Sequence, residues 1–155
     1  MRLYLIATLL VALLALSGIV SAANTASALV GSDVAAALEV TSAAPATIAP
    51  ALPGSAGYSN AAPVVVNSNV NWDLGVSGTE GGKMIQDIIS ASNALNVSAG
   101  TSGYQELTGT EARILSDQTY GAMISVPVTY RQTFGYADKA GLYAITVTWN
   151  VSPTV

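Results

Sequence analysis

The clearest pattern in the chain is an alternation of apolar and polar residues between positions 64 and 76. Asn67, Asn69, Asn71 and Asp73 occupy odd positions, and the apolar side chains occupy even ones. A period of two places the two sets on opposite faces of one strand, or of two strands joined by a bend near Ser68. We therefore expect the even-numbered residues to face a core: Val64, Val66, Val70, Trp72, Leu74 and Val76.

The same alternation returns in two long runs near the C-terminus. One face of residues 123–136 carries Ile124, Val126, Val128, Tyr130, Phe134 and Tyr136, with Gln132 among them. One face of residues 142–151 carries Tyr143, Ile145, Val147, Trp149 and Val151. The intervening turn, ADKAG, predicts that the two runs pair as a hairpin. Pro127 cannot donate a ladder hydrogen bond, so we expect the first run to lie at a sheet edge or to bulge there.

Residues 83–95 contain the helical candidate of the chain. Met84, Ile85, Ile88, Ile89 and Leu95 fall near one stripe at helical spacing, which predicts a short helical turn. Taken together, about seven short strands separated by turn clusters predict an all-β fold. The expected architecture is an immunoglobulin-like antiparallel β-sandwich over residues 58–155.

Residues 23–57 are rich in Ala, Ser, Thr, Val and Pro, and prolines at 45, 50 and 53 exclude a continuous helix. We expect an extended segment in which Leu38 and Val40 flank an outward Glu39, followed by a second extended piece that ends in a Pro-Gly turn. A helix over residues 33–38 and a disordered stalk are the alternatives. The segment is thus a strand donor, a stalk or a first strand of the sandwich.

The N-terminus has the composition of a secretory signal peptide. Arg2 precedes an apolar run from Leu3 to Leu16, and small residues follow as far as Ala22. This pattern predicts a signal peptide over residues 1–22, with cleavage after Ala22 or nearby. A retained anchor is less well supported, because the run is short for a bilayer. We expect a secreted, cell-surface protein without a membrane partner after cleavage.

Composition excludes several kinds of chemistry. The chain has no His and no Cys, which removes Ser-His and Cys-His nucleophile pairs and thiolate metal sites. Beyond Arg2, the basic residues are Lys83, Arg113, Arg131 and Lys139, too few for a patch that binds nucleic acid or anionic lipid. The carboxylates show no spacing typical of an acid–base pair. We therefore predict a protein that is not an enzyme and has no cofactor and no metal site. Calcium bound by loop carboxylates is the alternative, although the chain has no EF-hand pattern.

The polar rows suggest a binding surface. Asn67, Asn69, Asn71, Asp73 and Asn150 could form a flat hydrogen-bonding face for carbohydrate or cell envelope, although a solvated sandwich face has the same composition. Asn96 and Asn150 each begin an Asn-Val-Ser sequence and are candidate glycosylation sites. Trp72 and Trp149 alternate in phase with aliphatic neighbours and are predicted to be core residues.

The two tryptophan strands carry a resemblance to a known family. NWDLGVSG near the middle and GLYAITVTWNVSP at the end resemble the two signature regions of WxL-type cell-surface domains. Trp72-Asp73-Leu74 matches the first Trp-x-Leu, whereas Trp149-Asn150-Val151 has Val in place of Leu. The resemblance covers about a third of the chain that follows the predicted signal peptide, and it implies a secreted β-sandwich held noncovalently at a bacterial envelope.

Two functions follow from these features. The first is a non-enzymatic cell-surface structural or envelope-binding module, whose partners are envelope polysaccharide or other surface proteins. The second is a self-associating filament or surface-layer subunit, in which the nearly uncharged residues 23–52 add a strand to the sheet edge of a neighbour.

Overall fold

The computed structural model describes residues 29–154, and the predicted signal peptide lies outside them. The chain divides into two units, Met1–Val34 and Ala35–Val155. In the described part of the first unit, residues 29–34 have no regular secondary structure, and Leu29, Val30 and Val34 are exposed.

The described part of the second unit is built from antiparallel strands, which confirms the all-β prediction. A 3-10 turn at Glu80–Gly82 separates the fourth strand from the fifth. The strands are β1 (Leu38–Ala43), β2 (Ala56–Tyr58), β3 (Ala62–Ser68), β4 (Trp72–Gly78), β5 (Lys83–Gln86), β6 (Ile89–Ala94), β7 (Asn96–Ala99), β8 (Gln105–Glu106), β9 (Ala112–Gln118), β10 (Gly121–Thr133) and β11 (Val147–Pro153).

These strands form two main sheets and a hairpin. The first sheet has the order β1-β3-β10-β7-β8, with β2 also paired to β10, and the second has the order β11-β4-β9. Strands β5 and β6 form the hairpin. The described residues therefore contain eleven strands, more than the seven predicted.

One apolar cluster joins the inner faces of the two sheets. Val64, Val66, Val126 and Val128 come from the first sheet, and the second contributes Trp72, Leu74, Val76 and Ile114, all buried. The alternation between residues 64 and 76 thus predicts the inward face correctly. Val70 is the exception, because it lies between β3 and β4 and is only partly buried.

The extended segment before residue 58 contributes strands to the first sheet. β1 pairs with β3 from Leu38↔Ser68 onward, with Leu38 and Val40 partly buried and Glu39 exposed. Ile48 then forms a bridge with Ser59. A turn follows at Pro53 and Gly54, where Gly54 has φ +84°. The apolar positions flanking Glu39 therefore face the core, and the sheet begins at Leu38.

The predicted helix over residues 83–95 is wrong, because this stretch forms the β5–β6 hairpin. Asp87 has φ +57° and Ile88 is exposed at the tip, while Gln86 pairs with Ile89. Branched Ile85 and Ile89 favour extended backbone, and Ser and Asn within the segment weaken a helix. The helical spacing of its apolar residues therefore did not decide its structure.

The predicted hairpin between the two C-terminal runs is also wrong. β10 lies in the first sheet, whereas β11 pairs with β4 in the second, from Val147↔Gly78 to Pro153↔Trp72. Between them, residues 134–146 cross from one sheet to the other, and the rings of Phe134 and Tyr143 lie 5.0 Å apart along this connection.

Pro127 does not mark a sheet edge or a bulge, so that prediction is wrong as well. β10 is an interior strand, and its bulge lies between Gly121 and Ile124. Pro127 lies opposite Pro63, and their carbonyls accept hydrogen bonds from Gly100 and Ala44 on the outer sides of the pair. Because this is a non-hydrogen-bonded pair, neither proline removes a bond between β3 and β10.

Gly82 occupies a position that cannot accept a side chain. Its φ is +82°, and a Cβ would overlap the carbonyl of Leu107. We expect Gly82→Ala to lower the free energy of unfolding in urea by about 2–3 kcal/mol. Gly103→Ala, where a Cβ meets open space, should change it by less than about 0.5 kcal/mol. Equal losses in the two variants would contradict this packing.

Asp138 organises the loop between β10 and β11. Its Oδ1 accepts hydrogen bonds from the N–H and Oγ of Ser92, both at 2.7 Å, and its Oδ2 accepts one from the N–H of Gly135 at 2.6 Å. Partial burial acts to raise the pKa of Asp138, but these hydrogen bonds and the charge of Lys83 hold it below its ordinary value of 3.8.

This carboxylate predicts a pH-dependent contribution to stability. Because the folded pKa is the lower one, the contribution is complete above the unfolded pKa and is lost as the pH falls through the folded pKa. We expect Asp138→Asn to lower the free energy of unfolding at pH 7 by about 0.5–1 kcal/mol, after allowance for solvent screening. In urea titrations at pH values below the ordinary pKa, the difference in unfolding free energy between the variant and the parent should shrink. A difference that is constant at all pH values would contradict a stabilising role of the Asp138 carboxylate.

Candidate functional site

The asparagine row predicted to contact carbohydrate begins with two residues that hydrogen-bond to the main chain. Asn67 accepts the N–H of Met123 at 2.7 Å. Asn69 accepts the N–H of Ala37 at 2.7 Å and donates to the carbonyl of Ala35 at 2.8 Å. These side chains hold the start of β1 and a bulge of β10 against the end of β3.

The row ends in a buried carboxylate, that of Asp73. Asp73 is 4% exposed and forms an ion pair with Arg113 at 3.1 Å. Its Oδ1 also accepts hydrogen bonds from the N–H of Asp117 at 2.8 Å and from Thr154 Oγ1 at 3.2 Å. Asn71 is exposed and donates to the Asp117 carboxylate at 3.3 Å. The structure therefore places Asp73 in a network that ties β4 to β9 and to the end of β11.

The two candidate glycosylation sites lie on different sheets. Asn150, on the exposed face of β11, donates to Glu111 at 2.9 Å. Asn96 begins β7, is partly buried and accepts a hydrogen bond from Arg131 at 2.9 Å. The structure does not bring Asn96 and Asn150 together into one surface.

The two tryptophans have different surroundings. Trp72 is completely buried, and its indole N–H donates to the carbonyl of Thr119 at 3.1 Å. Trp149 is partly buried and packs against the edge of the same core. Trp149 therefore lies where the core meets an opening in the sandwich.

That opening lies along an unpaired strand edge. The backbone of Ala144 exchanges two hydrogen bonds with Ile85, and the carbonyl of Thr146 accepts the N–H of Thr79. At the far end, the N–H of Thr154 donates to Asn71. The backbone N–H and C=O groups of the even-numbered residues thus point toward β4 and β5. Because these groups alternate in direction along a strand, the backbone groups of the odd-numbered residues from 143 to 151 point to the opposite side. In residues 29–154, no strand pairs with that side of β11.

An apolar groove of about 580 Å³ runs beside this edge. One wall is residues 43–50, which follow β1, and the other is residues 141–149, which lead into β11. Met84, Leu95, Tyr130 and Phe134 complete the lining, which contains no charged residue. The groove therefore combines apolar side chains with free backbone hydrogen-bonding groups, as an added β-strand requires.

Two tyrosines, Tyr130 and Tyr143, belong to the groove lining. Burial raises the pKa of Tyr130, an effect partly offset by the neighbouring Trp149 side chain. The hydroxyl of Tyr143 is buried and has no hydrogen-bond partner in residues 29–154. An unpaired buried hydroxyl costs about 1–3 kcal/mol, so an acceptor entering the groove would be stabilised there.

The sequence interpretation missed this groove, although it contained one signal. The apolar odd-numbered positions begin at Tyr143, before the paired part of β11, and the facing residues 43–50 carry no charge. What the pattern could not show was that these two segments line the same opening.

No protein-family model, curated protein or solved structure matches this chain. In residues 29–154 there is no group of three or more acidic side chains placed to hold a metal ion. That part of the chain also has no helix with the length and apolar character needed to cross a membrane.

Proposed function

We propose that this protein is a non-enzymatic structural subunit of the cell surface, which assembles by accepting a β-strand along the open edge of β11. The observation that carries the proposal is the groove of about 580 Å³ beside that edge. Backbone hydrogen bonds would supply affinity, and the apolar lining would supply contact area. The predicted signal peptide and the WxL resemblance support the extracellular location.

The edges of β9, β1 and β8 carry features that disfavour strand addition. β9 contains Arg113 and Asp117, and its pairing with β4 is shifted at two places. β1 is interrupted by a bulge at Thr41 and carries Glu39, and β8 has only two residues. Charges, bulges and short strands are the usual protection of a sheet edge.

β11 has none of these three features where Val147 and Trp149 line the groove, although β1 lies close to another part of the strand. Its seven residues contain no charge and no bulge, and only Pro153, at its end, lacks an N–H. A long, uncharged edge next to an apolar groove is a template for pairing with another chain. We therefore propose assembly at β11 and not at the edges of β9, β1 or β8.

The envelope-binding form of the surface function has less support. Asn67, Asn69 and Asp73 use their polar atoms in hydrogen bonds within the chain. A polysaccharide would have to replace those bonds or use the remaining lone pairs. The immunoglobulin-like class of the sandwich remains part of this proposal.

Sedimentation velocity of the chain that begins at Ala23 tests the proposal. We expect species larger than the monomer to grow with concentration, and negative-stain microscopy should show them as ordered polymers. A chain that remains monomeric at millimolar concentration would contradict the proposed function.

A further inference from the structure

We infer, building on the function proposed above, that the strand accepted beside β11 is the N-terminal arm of a second copy of this chain. The arm is defined here as residues 23–36, of which residues 29–36 are described. Two of its apolar side chains, Val30 and Val34, are 89% and 85% exposed. An apolar segment that gains no burial in its own described fold is suited to be buried in another copy.

The arm can present an uncharged face to the groove if its even-numbered side chains point inward. Asp33 is its only charged side chain. Because an unpaired buried carboxylate is costly, Asp33 must point outward, and the other odd-numbered residues of an extended arm then share its face. Val30 and Val34 consequently point into the groove with the small Ser32 between them, whereas Leu29 lies on the outward face with Asp33.

The point where the arm joins the sheet, at Ala35–Ala37, and the groove lie at opposite ends of β1. The chain enters the sheet where Asn69 binds the backbone of Ala35 and Ala37, before β1 begins. The groove is lined by residues 43–50, after β1 ends. Six strand residues separate the two places by about 20 Å.

This separation favours a head-to-tail connection between copies. An arm that extends away from Ala35 can enter the groove of the next copy, whose own arm then continues in the same direction. Such a heterologous contact produces an open polymer when its rotation does not close a ring. Because Ala35 is held by Asn69 of its own copy, Val34 can enter the next groove only where the two copies lie in direct contact. The described residues 29–34 reach about 20 Å when extended.

The unpaired hydroxyl of Tyr143 supports a peptide as the occupant. It is buried in the groove lining without a partner in residues 29–154. A backbone carbonyl of the inserted arm would accept its hydrogen bond, while the odd-numbered backbone groups of residues 143–149, which line the groove, pair with the arm.

Cross-linking between two single-cysteine variants tests this inference, because the parent chain has no cysteine. One sample carries Val34→Cys in the arm, and the other carries Ala46→Cys in the groove wall. Mixed in equal amounts and treated with a short bismaleimide, they should give a cross-linked dimer that neither variant gives alone. The matched control replaces Ala46→Cys by Thr101→Cys, an exposed position after β7 that does not line the groove.

Light scattering of the same samples shows whether polymers form, and so tests assembly separately from the identity of the inserted strand. Polymers without the groove-specific cross-link would overturn the arm as occupant and leave the proposed assembly standing. Neither polymers nor cross-link would overturn both. A monomer cross-linked within itself, in a double Val34→Cys and Ala46→Cys chain, would show that the arm fills its own groove, and equal yields with Thr101→Cys would also overturn the inference.

Discussion

Trp72→Ala is expected to lower the free energy of unfolding by about 3–5 kcal/mol, a loss comparable to the total stability of many small domains. Trp72 is completely buried in β4, the middle strand of the second sheet, between Gln118 of β9 and Pro153 of β11. Its removal leaves a large cavity and an unpaired carbonyl at Thr119. Urea denaturation followed by circular dichroism measures the loss without depending on indole fluorescence.

Trp149→Ala is the matched comparison for this prediction. The same truncation at a partly buried site should cost only about 1–2 kcal/mol, because less apolar surface returns to water. If Trp72→Ala fails to fold, Trp72→Phe should still unfold at a lower urea concentration than Trp149→Phe. Equal losses at the two positions would contradict the assignment of Trp72 to the centre of the core.

Leu142→Asp is expected to weaken assembly by at least about 100-fold in association constant, while leaving the monomer folded. Leu142 is 87% exposed in the monomer and lines the groove, so the substitution removes little from the core. Once a strand covers the groove, however, the new carboxylate is desolvated beside apolar side chains without a partner. Burial of an unpaired charge costs several kcal/mol, enough for this loss.

Leu52→Asp provides the control for that experiment. Leu52 is 78% exposed and lies outside the groove lining, so the same change of charge and size should leave assembly nearly unaltered. Sedimentation velocity at matched concentrations compares both variants with the parent. Loss of assembly in both would point to a general effect of net charge and contradict a contact localised at the groove.

The inward faces of the strands could be predicted from local sequence, because alternation depends only on neighbouring residues. Val64, Val66, Trp72, Leu74 and Val76 are buried as the even positions predicted. Partner choice depends on contacts between residues far apart in the chain. The proximity of two alternating runs therefore suggested a hairpin, whereas β11 pairs with β4, more than sixty positions earlier in the sequence.

The roles of individual residues such as Pro127 and Asp73 were harder to predict, because they also depend on contacts between distant parts of the chain. A proline in a strand predicts an edge, but the effect of Pro127 depends on Pro63 opposite it, which is not visible in the local sequence. Likewise, Asp73 occupies an odd, outward position but is buried by Arg113 and Asp117 of β9. The groove was not predictable, because its walls belong to segments about a hundred residues apart.

Amide hydrogen exchange resolved to single residues tests the strand-addition account most directly. In the monomer, the outward N–H groups of Ile145, Val147 and Trp149 should exchange quickly, whereas those of Thr148 and Asn150, directed toward β4, should be protected. In the polymer, the three outward amides should become protected as well, by at least about tenfold. Polymers in which these three amides still exchange at the monomer rate would contradict the addition of a strand at β11.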